Sequence, residues 1–579
     1  MLLSNVKGVA MSNTVDLLTK EGRTLPEVPW NVYPRPLMKR NSFLCLNGKW
    51  DFSICNSEDD EPLYDKTITV PFAPQSILSG VHQLISDNDV IYYRRAFTLP
   101  GGFLKDRVIL HFGAVDQIAE VRVNGYLLGS HVGGYEPFRF DITECLKEEN
   151  VITVKVRDEL DKHILPYGKQ KHKRGGMWYT PVCGIWQTVW LESVPEHYIN
   201  DVFCDVRDNR VNITVKGVKN GSVKVFMPEG EKSYALEKGA CEFEIKSPRV
   251  WSPEDPFLYN FSVITDSDRI DSYFAVRSLT VKEVDGFKRL CLNGKPYFFH
   301  GLLDQGYWSD GIFTPASEEL FIKDIETIKS LGFNMLRKHI KIEPQLFYYY
   351  CDKLGVVVFQ DMINNGHYSF LRDTALPTVG LQRINDRLLH NNHNSREAFK
   401  KSMFDTVNLL KKHPSVCYWT IFNEGWGQFC ADDMYAELKA VDDTRFIDST
   451  SGWFRRKETD VDSRHIYFKK IKLKAGNKPL VLSEFGGYSY KPEGHVFNTQ
   501  QTYGYAKFDS REEFVNALRN LYLNEVLPSV KNGLCAAVYT QVSDVEDETN
   551  GILSYDREVL KVRPEEFFDI SKLLYDSFK

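Results

Sequence analysis

The stretch Val416-Cys-Tyr-Trp-Thr-Ile-Phe-Asn-Glu424-Gly-Trp-Gly reads as a buried strand that ends abruptly in a carboxylate. An apolar, β-forming run leads to Asn423, and Gly425 marks a sharp exit. A second stretch, Pro479-Leu-Val-Leu-Ser-Glu484-Phe-Gly-Gly, has the same grammar. Carboxylates at the C-terminal mouth of barrel strands are where a (β/α)8 scaffold carries its chemistry. Two of them facing one cleft are the minimum equipment for cleaving a glycosidic bond.

Outward from these runs, strand-like and helix-like segments alternate from about residue 285, the pattern of a parallel α/β fold. Eight candidate strands are Phe298–Leu303, Phe333–Arg337, Val356–Gln360, Val416–Ile421, Phe446–Thr450, His465–Phe468, Leu480–Ser483 and Ala536–Gln541. Glu318–Leu331 keeps Leu320, Phe321, Ile325, Ile328 and Leu331 on one helical stripe. Pro344–Leu354, Arg396–Lys412 and Arg511–Val530 read as further helices, and no helix is read in the links around the fifth to seventh strands. Eight such units over about 290 residues predict a TIM barrel.

The preceding chain is all-β. Residues 30–197 hold short alternating runs such as Lys49-Trp-Asp-Phe-Ser-Ile and Val151-Ile-Thr-Val-Lys-Val, with Asn124-Gly125 as a tight turn. They predict a sandwich or jelly roll. Residues 198–281 suit an immunoglobulin-like sandwich with Asn220-Gly221 as its clearest hairpin signal. The expected architecture is multidomain, β plus α/β: an extension over 1–29, a jelly-roll β-sandwich over 30–197, an immunoglobulin-like β-sandwich over 198–281 and a (β/α)8 TIM barrel over 282–579.

Composition narrows the partners. The chain of 579 residues has net charge −6, which makes no electrostatic case for nucleic acid or an anionic membrane. Its eleven cysteines are scattered singly, without the paired spacing of zinc or redox motifs, which favours a reducing, cytoplasmic setting. The opening Met1-Leu-Leu-Ser-Asn-Val-Lys-Gly lacks a long apolar region, and no apolar run of membrane-spanning length occurs.

With both glutamates in aromatic-and-glycine settings, the chain resembles glycoside hydrolase family 2, the family of β-galactosidases, β-glucuronidases and β-mannosidases. The likeness runs from about residue 30 to the end. It is carried by Leu46-Asn-Gly-Lys-Trp-Asp-Phe, Gly184-Ile-Trp-Gln-Thr-Val-Trp-Leu-Glu, Leu292-Asn-Gly-Lys-Pro, Asn423-Glu424-Gly and Ser483-Glu484-Phe-Gly. The resemblance implies a retaining exo-β-glycosidase with Glu424 as acid/base and Glu484 as nucleophile. It also implies that Asn423 bonds the sugar 2-hydroxyl, that Arg337 helps keep the nucleophile ionised, and that Tyr467 orients it. It implies a homo-oligomer, because relatives often form dimers or tetramers. Some large members bind magnesium and sodium, but no ligands for them map onto this chain, and nothing in it demands a metal or other cofactor.

Barrel logic adds candidates at other strand ends. His339 and Asp304 suit sugar hydroxyls, and Tyr539 suits a stacking platform. Asp361 and His465 have weaker claims. The basic run Lys169-Gln-Lys-His-Lys-Arg174 reads either as a solvated loop or as one reaching the barrel mouth toward an aglycone or an acidic sugar.

One departure bears on the sugar. Glucuronidases of the family carry an Asn-x-Lys clamp before the segment matching Gly551-Ile-Leu-Ser-Tyr-Asp-Arg, whereas this chain has Glu548-Thr-Asn550. An acid repels a uronic carboxylate, so a β-galactoside is favoured. A β-glucuronide or other uronide would need a cation from elsewhere. A non-catalytic carbohydrate-binding protein is the third reading, and the presence of both glutamates speaks against it.

Overall fold

Eight parallel strands follow one another in the order 5-4-3-2-1-8-7-6 to make the C-terminal sheet. The computed structural model describes residues 14–378, 380–381 and 385–578. In chain order the strands are Phe299–Asp304, Met335–Lys338, Val357–Asp361, Val416–Asn423, Phe446–Ser451, Asp462–Ile466, Leu480–Gly486 and Leu534–Thr540. Every strand read from the sequence is present. The first and eighth pair in register, Gly301 opposite Val538. Between the fifth and sixth the seam is held by single bonds, such as Asp460 N–H to the Ile447 carbonyl at 2.9 Å, so the barrel is nearly closed. Most of these strands are buried along their whole length, the pattern of a parallel sheet covered on both faces.

The helices pack outside. Glu319–Ser330 buries Leu320, Phe321, Ile325 and Ile328 against the sheet. Gln345–Leu354 ends at Gly355 with φ 74°, where a Cβ would lie 2.6 Å from the Pro253 carbonyl oxygen. His393–Leu410 starts from Asn392, whose side chain accepts from Ser395 N–H. The expected helix over Arg511–Val530 is interrupted by a wider π turn at Tyr522–Val526. Two longer helices go beyond the sequence reading, Pro564–Phe578 after the eighth strand and, between the fourth and fifth, Ala431–Val441. Its only large buried apolar residues are Met434 and Leu438, too sparse a stripe among Asp432, Asp433, Glu437 and Lys439.

The jelly roll packs a six-stranded antiparallel sheet on a four-stranded one around Trp50, Phe52, Tyr93, Leu110, Val121, Val154 and Leu191. Asn124 and Gly125 both have positive φ, 51° and 84°, as a two-residue hairpin of matching twist requires. The immunoglobulin-like unit packs three strands on four around Val211, Ile213, Val223, Phe261 and Ile270. The hairpin expected at Asn220-Gly221 is not formed. Arg210–Lys216 pairs with Asp201–Arg207 and Ala240–Glu244, while Gly221–Met227 starts the other sheet, so Asn220-Gly221 is a crossover between sheets.

The N-terminal strap lies on the barrel, with Thr19 donating through N–H and Oγ1 to Asp310 at 2.8 and 2.6 Å. The opening Met1–Gly8, read above for its composition, lies outside the described residues. Among the described residues no helix is long and apolar enough to cross a membrane, and all eleven cysteines are free.

Trp186 joins jelly roll to barrel. It is fully buried, donates Nε1–H to the Gly134 carbonyl at 2.8 Å and meets Phe313 edge-on at 5.1 Å. We predict that Trp186→Ala costs about 3–5 kcal/mol, read from the denaturant midpoint. A loss below about 0.5 kcal/mol, the level of an inconsequential surface change, would refute this packing role.

Candidate active site

The site grows from alternation along the second barrel strand. Arg337 points inward and Lys338 outward, where its ammonium lies 4.3 Å from the Phe347 ring centroid of the helix layer. Arg337 is 1% exposed, so its guanidinium must be matched from within. Its Nε donates to Asp361 Oδ1 at 3.0 Å. Nη1 donates to Glu484 Oε1 at 3.1 Å and to the Ser483 carbonyl at 2.9 Å. Nη2 donates to Asn423 Oδ1 at 2.9 Å. Burial alone would lower the Arg337 pKa, but Asp361 and Glu484 raise it above its ordinary value, so the charge stays.

Glu484 lies inside the seventh strand and is 5% exposed. Tyr467 donates its O–H to Oε2 at 2.6 Å. Burial pushes this carboxyl up, but His465, Arg337, His339 and Lys169 outweigh it and hold the pKa at about 2. Glu484 is therefore an ionised, buried carboxylate.

Glu424 follows the fourth strand with φ 53°, and Gly425 and Gly427 continue with φ 76° and 72°. This left-handed turn folds the chain over the mouth, where a Cβ on Gly425 would strike the Phe454 ring at 2.1 Å. A non-glycine residue held there stores strain of order 1–3 kcal/mol. The Glu424 side chain is 20% exposed, more open than Glu484. His465 Nδ1 lies 2.8 Å from Glu424 Oε1 and 3.5 Å from Glu484 Oε2. His465 Nε2 lies 3.0 Å from Ser451 Oγ and 3.5 Å from Arg337 Nη1. One oxygen of Glu424, one of Glu484 and His465 Nδ1 all lie within 4.8 Å of one another. That spacing could also suit a metal ion, but the Arg337 cation bonded to the same carboxylate disfavours a second positive charge.

The remaining candidates divide. Asn423 commits its oxygen to Arg337, which leaves its NH2 as the free donor. His339 Nδ1 bonds Asp361 Oδ2 at 2.6 Å, and burial lowers its pKa to about 4, so the ring is neutral with a buried, unpartnered Nε2. Asp304 and Tyr539 do not serve as expected. Register pairs Asp304 with outward-facing Lys338, whose Nζ is 2.6 Å from Oδ2. Register pairs Tyr539 with Leu302 on the same outward face, where its ring is fully buried against Phe485 and Tyr522 and offers no platform. His465 and Asp361, weak candidates from sequence, prove central. The place of His465 follows from register, which puts it directly opposite Glu484 on the neighbouring strand.

The jelly roll supplies one wall of the cleft. Tyr167 and Gly168 donate their N–H groups to the Asn364 carbonyl, both at 3.1 Å. Tyr179 bonds Glu548, and Arg174 meets Glu546 and Asp547 at 3.5 and 3.4 Å. Trp178 and Trp426 stand edge to face at 5.0 Å, beside Tyr368.

Comparison with known proteins agrees with this architecture. Residues 283–558 match the model "Glycosyl hydrolases family 2, TIM barrel domain", residues 64–186 the "Glycosyl hydrolase 2 galactose-binding domain-like" model and residues 200–277 "Glycosyl hydrolases family 2". A β-galactosidase of Thermoanaerobacter pseudethanolicus is 26% identical over 77% of this chain and 59% of its own length. A β-glucuronidase of Bacteroides fragilis is 24% identical over 66% of this chain and 56% of its own. The chain thus spans under two thirds of these relatives. Among solved structures, the β-D-glucuronidase of Dictyoglomus thermophilum superimposes with TM-score 0.70 at 18% identity, covering 94% of this chain and 98% of that one. A GH2 β-galacturonidase from Eisenbergiella tayi gives 0.65 at 19% identity, covering 95% and 98%. Family models cover all three folding units in order, and the chain belongs to glycosyl hydrolase family 2.

Proposed function

We propose that the chain is a retaining, exo-acting β-glycosidase that works by double displacement. The observation that carries this reading is the approach of Glu424 and Glu484 to within 4.8 Å. Retaining pairs stand about 5–5.5 Å apart, whereas inverting pairs leave about 6.5–9.5 Å for a water. The asymmetry of their surroundings assigns the roles. Glu484, ionised and oriented by Arg337 and Tyr467, attacks the anomeric carbon. Glu424, more open to solvent, gives its proton to the leaving oxygen. The covalent glycosyl-enzyme is then cleaved by a water that passes a proton back to Glu424, which restores both carboxyls. The Asn423 NH2 is positioned for the sugar 2-hydroxyl and His339 Nε2 for a second hydroxyl. The jelly-roll loop that packs on the barrel rim supports exo action, because it narrows access to the mouth. The names of the curated relatives, β-galactosidase and β-glucuronidase, support a β-glycoside substrate.

For the glycone, the acid at 548 keeps a β-galactoside first. A β-uronide is the second reading, favoured by one observation. The Glu548 carboxylate is engaged by the Tyr179 hydroxyl and, at 3.2 Å, by Asn550 Nδ2, and burial raises its pKa, so its repulsion of a second carboxylate is muted.

Glu484→Ala is expected to lower kcat on nitrophenyl β-glycosides by about 10³-fold or more, and near-wild-type turnover would end the nucleophile assignment. Proton NMR of the first-formed sugar should show the β anomer, and an initial α anomer would contradict double displacement. Tyr467→Phe removes a donor to the ionised nucleophile, so the acid limb of the kcat/KM profile should move up by about one pH unit. An unmoved limb would show that Tyr467 does not hold that charge. The same depressed value has a stability consequence. It favours the fold above the ordinary carboxyl pKa of 4.5, and this contribution is lost as pH falls toward about 2.

A further inference from the structure

Lys169 bonds to none of the groups above, yet the fold delivers it to the cleft. Gly168 seats the loop, with φ 66° and a position where a Cβ would lie 2.9 Å from the Ile340 carbonyl oxygen on the barrel rim. Gln170 is turned inward and 2% exposed; its amide donates to Tyr167 O at 2.9 Å and its oxygen accepts from Val182 N–H at 2.6 Å. Alternation along this extended stretch turns Lys169 and Lys171 the other way, toward the mouth. The Lys169 carbonyl is held by Tyr179 N–H at 2.9 Å, so the backbone is fixed on both sides.

Two other cations of the loop are occupied, and Lys173 is exposed to solvent. Lys171 Nζ sits 3.7 Å from the Trp178 ring centroid and 5.1 Å from that of Tyr368. Arg174 meets Glu546 and Asp547. Among the described residues, the ammonium of half-buried Lys169 has no hydrogen bond or ion pair. Its charge nevertheless reaches the glycone side of the site, since it lowers the pKa of Glu484, of His339 and of Glu548. A partly desolvated ammonium with no hydrogen-bonded partner keeps its donors free for an anion. Sugar hydroxyls accept its hydrogen bonds but leave the charge, whereas a carboxylate does both.

We propose that Lys169 is the specificity-determining residue of this site, its ammonium receiving the carboxylate of a β-linked uronic acid. The cation missing from the barrel is thereby supplied by the jelly-roll domain. The proposal rests on the β-glycosidase reading of the same cleft and decides between its two glycones.

The test compares sugars that differ only at C6. For the wild type, Lys169→Gln and Lys169→Arg, kcat/KM is measured on nitrophenyl β-glucuronide against β-glucoside and on β-galacturonide against β-galactoside. The wild type should prefer one uronide over its neutral partner. Lys169→Gln should lose about 10²-fold on that uronide, mostly in KM, with a loss at least about tenfold smaller on the neutral sugar, and Lys169→Arg should recover part of it. Equal losses on both sugars, no loss on either, or a wild type that prefers the neutral member would overturn the proposal. Calorimetry of Glu484→Gln with free glucuronate and galacturonate separates the two readings. Binding of either acid that Lys169→Gln abolishes would uphold the Lys169 assignment even if no glycoside were hydrolysed, which would sink the hydrolase reading instead. Failure of both acids to bind would overturn the Lys169 assignment.

Discussion

The site depends on one buried guanidinium. Arg337 ties together side chains from the third, fourth and seventh strands: Asp361, Asn423 and Glu484. Removing it would leave Asp361 and Glu484 buried without a cation, a penalty of about 3–5 kcal/mol for a broken buried pair. The planar fork matters as much as the charge, since Lys, a point cation, could not reach all these acceptors at once. Through Asp361 the same network sets the His339 tautomer.

From that hub the two glutamates acquire different chemistry although both end strand-like runs. Glu484 lies within the sheet, where burial would favour its neutral form and the surrounding positive groups reverse the balance. Glu424 sits on a left-handed turn outside the sheet and faces the mouth. His465 bridges the pair with a single N–H. The barrel thus supplies both carboxylates, while the jelly-roll loop packs along their rim through Tyr167 and Gly168 on the Asn364 carbonyl.

Much of this was legible in the chain. The barrel strands were readable because strands buried on both faces are nearly continuous apolar runs, and Glu424 and Glu484 stood out because glycines follow them. What failed was information the linear pattern does not contain. A strand-end position does not tell inward from outward, so Asp304 and Tyr539 were placed in the cleft until register put them with Lys338 and Leu302 on the helix side. Asn220-Gly221 announces a turn without naming the strands it joins. The direction of Lys169 depends on the burial of its neighbour Gln170, a tertiary fact.

The most direct test of the account is to trap the intermediate. Incubation with a 2-fluoro glycoside of the preferred sugar, followed by proteolysis and mass spectrometry, should place the sugar on Glu484 in the peptide containing Leu482-Ser-Glu484-Phe. A label on Glu424, on Asp361 or on any other carboxyl would contradict the account, as would turnover of the natural glycoside with no carboxyl ever labelled.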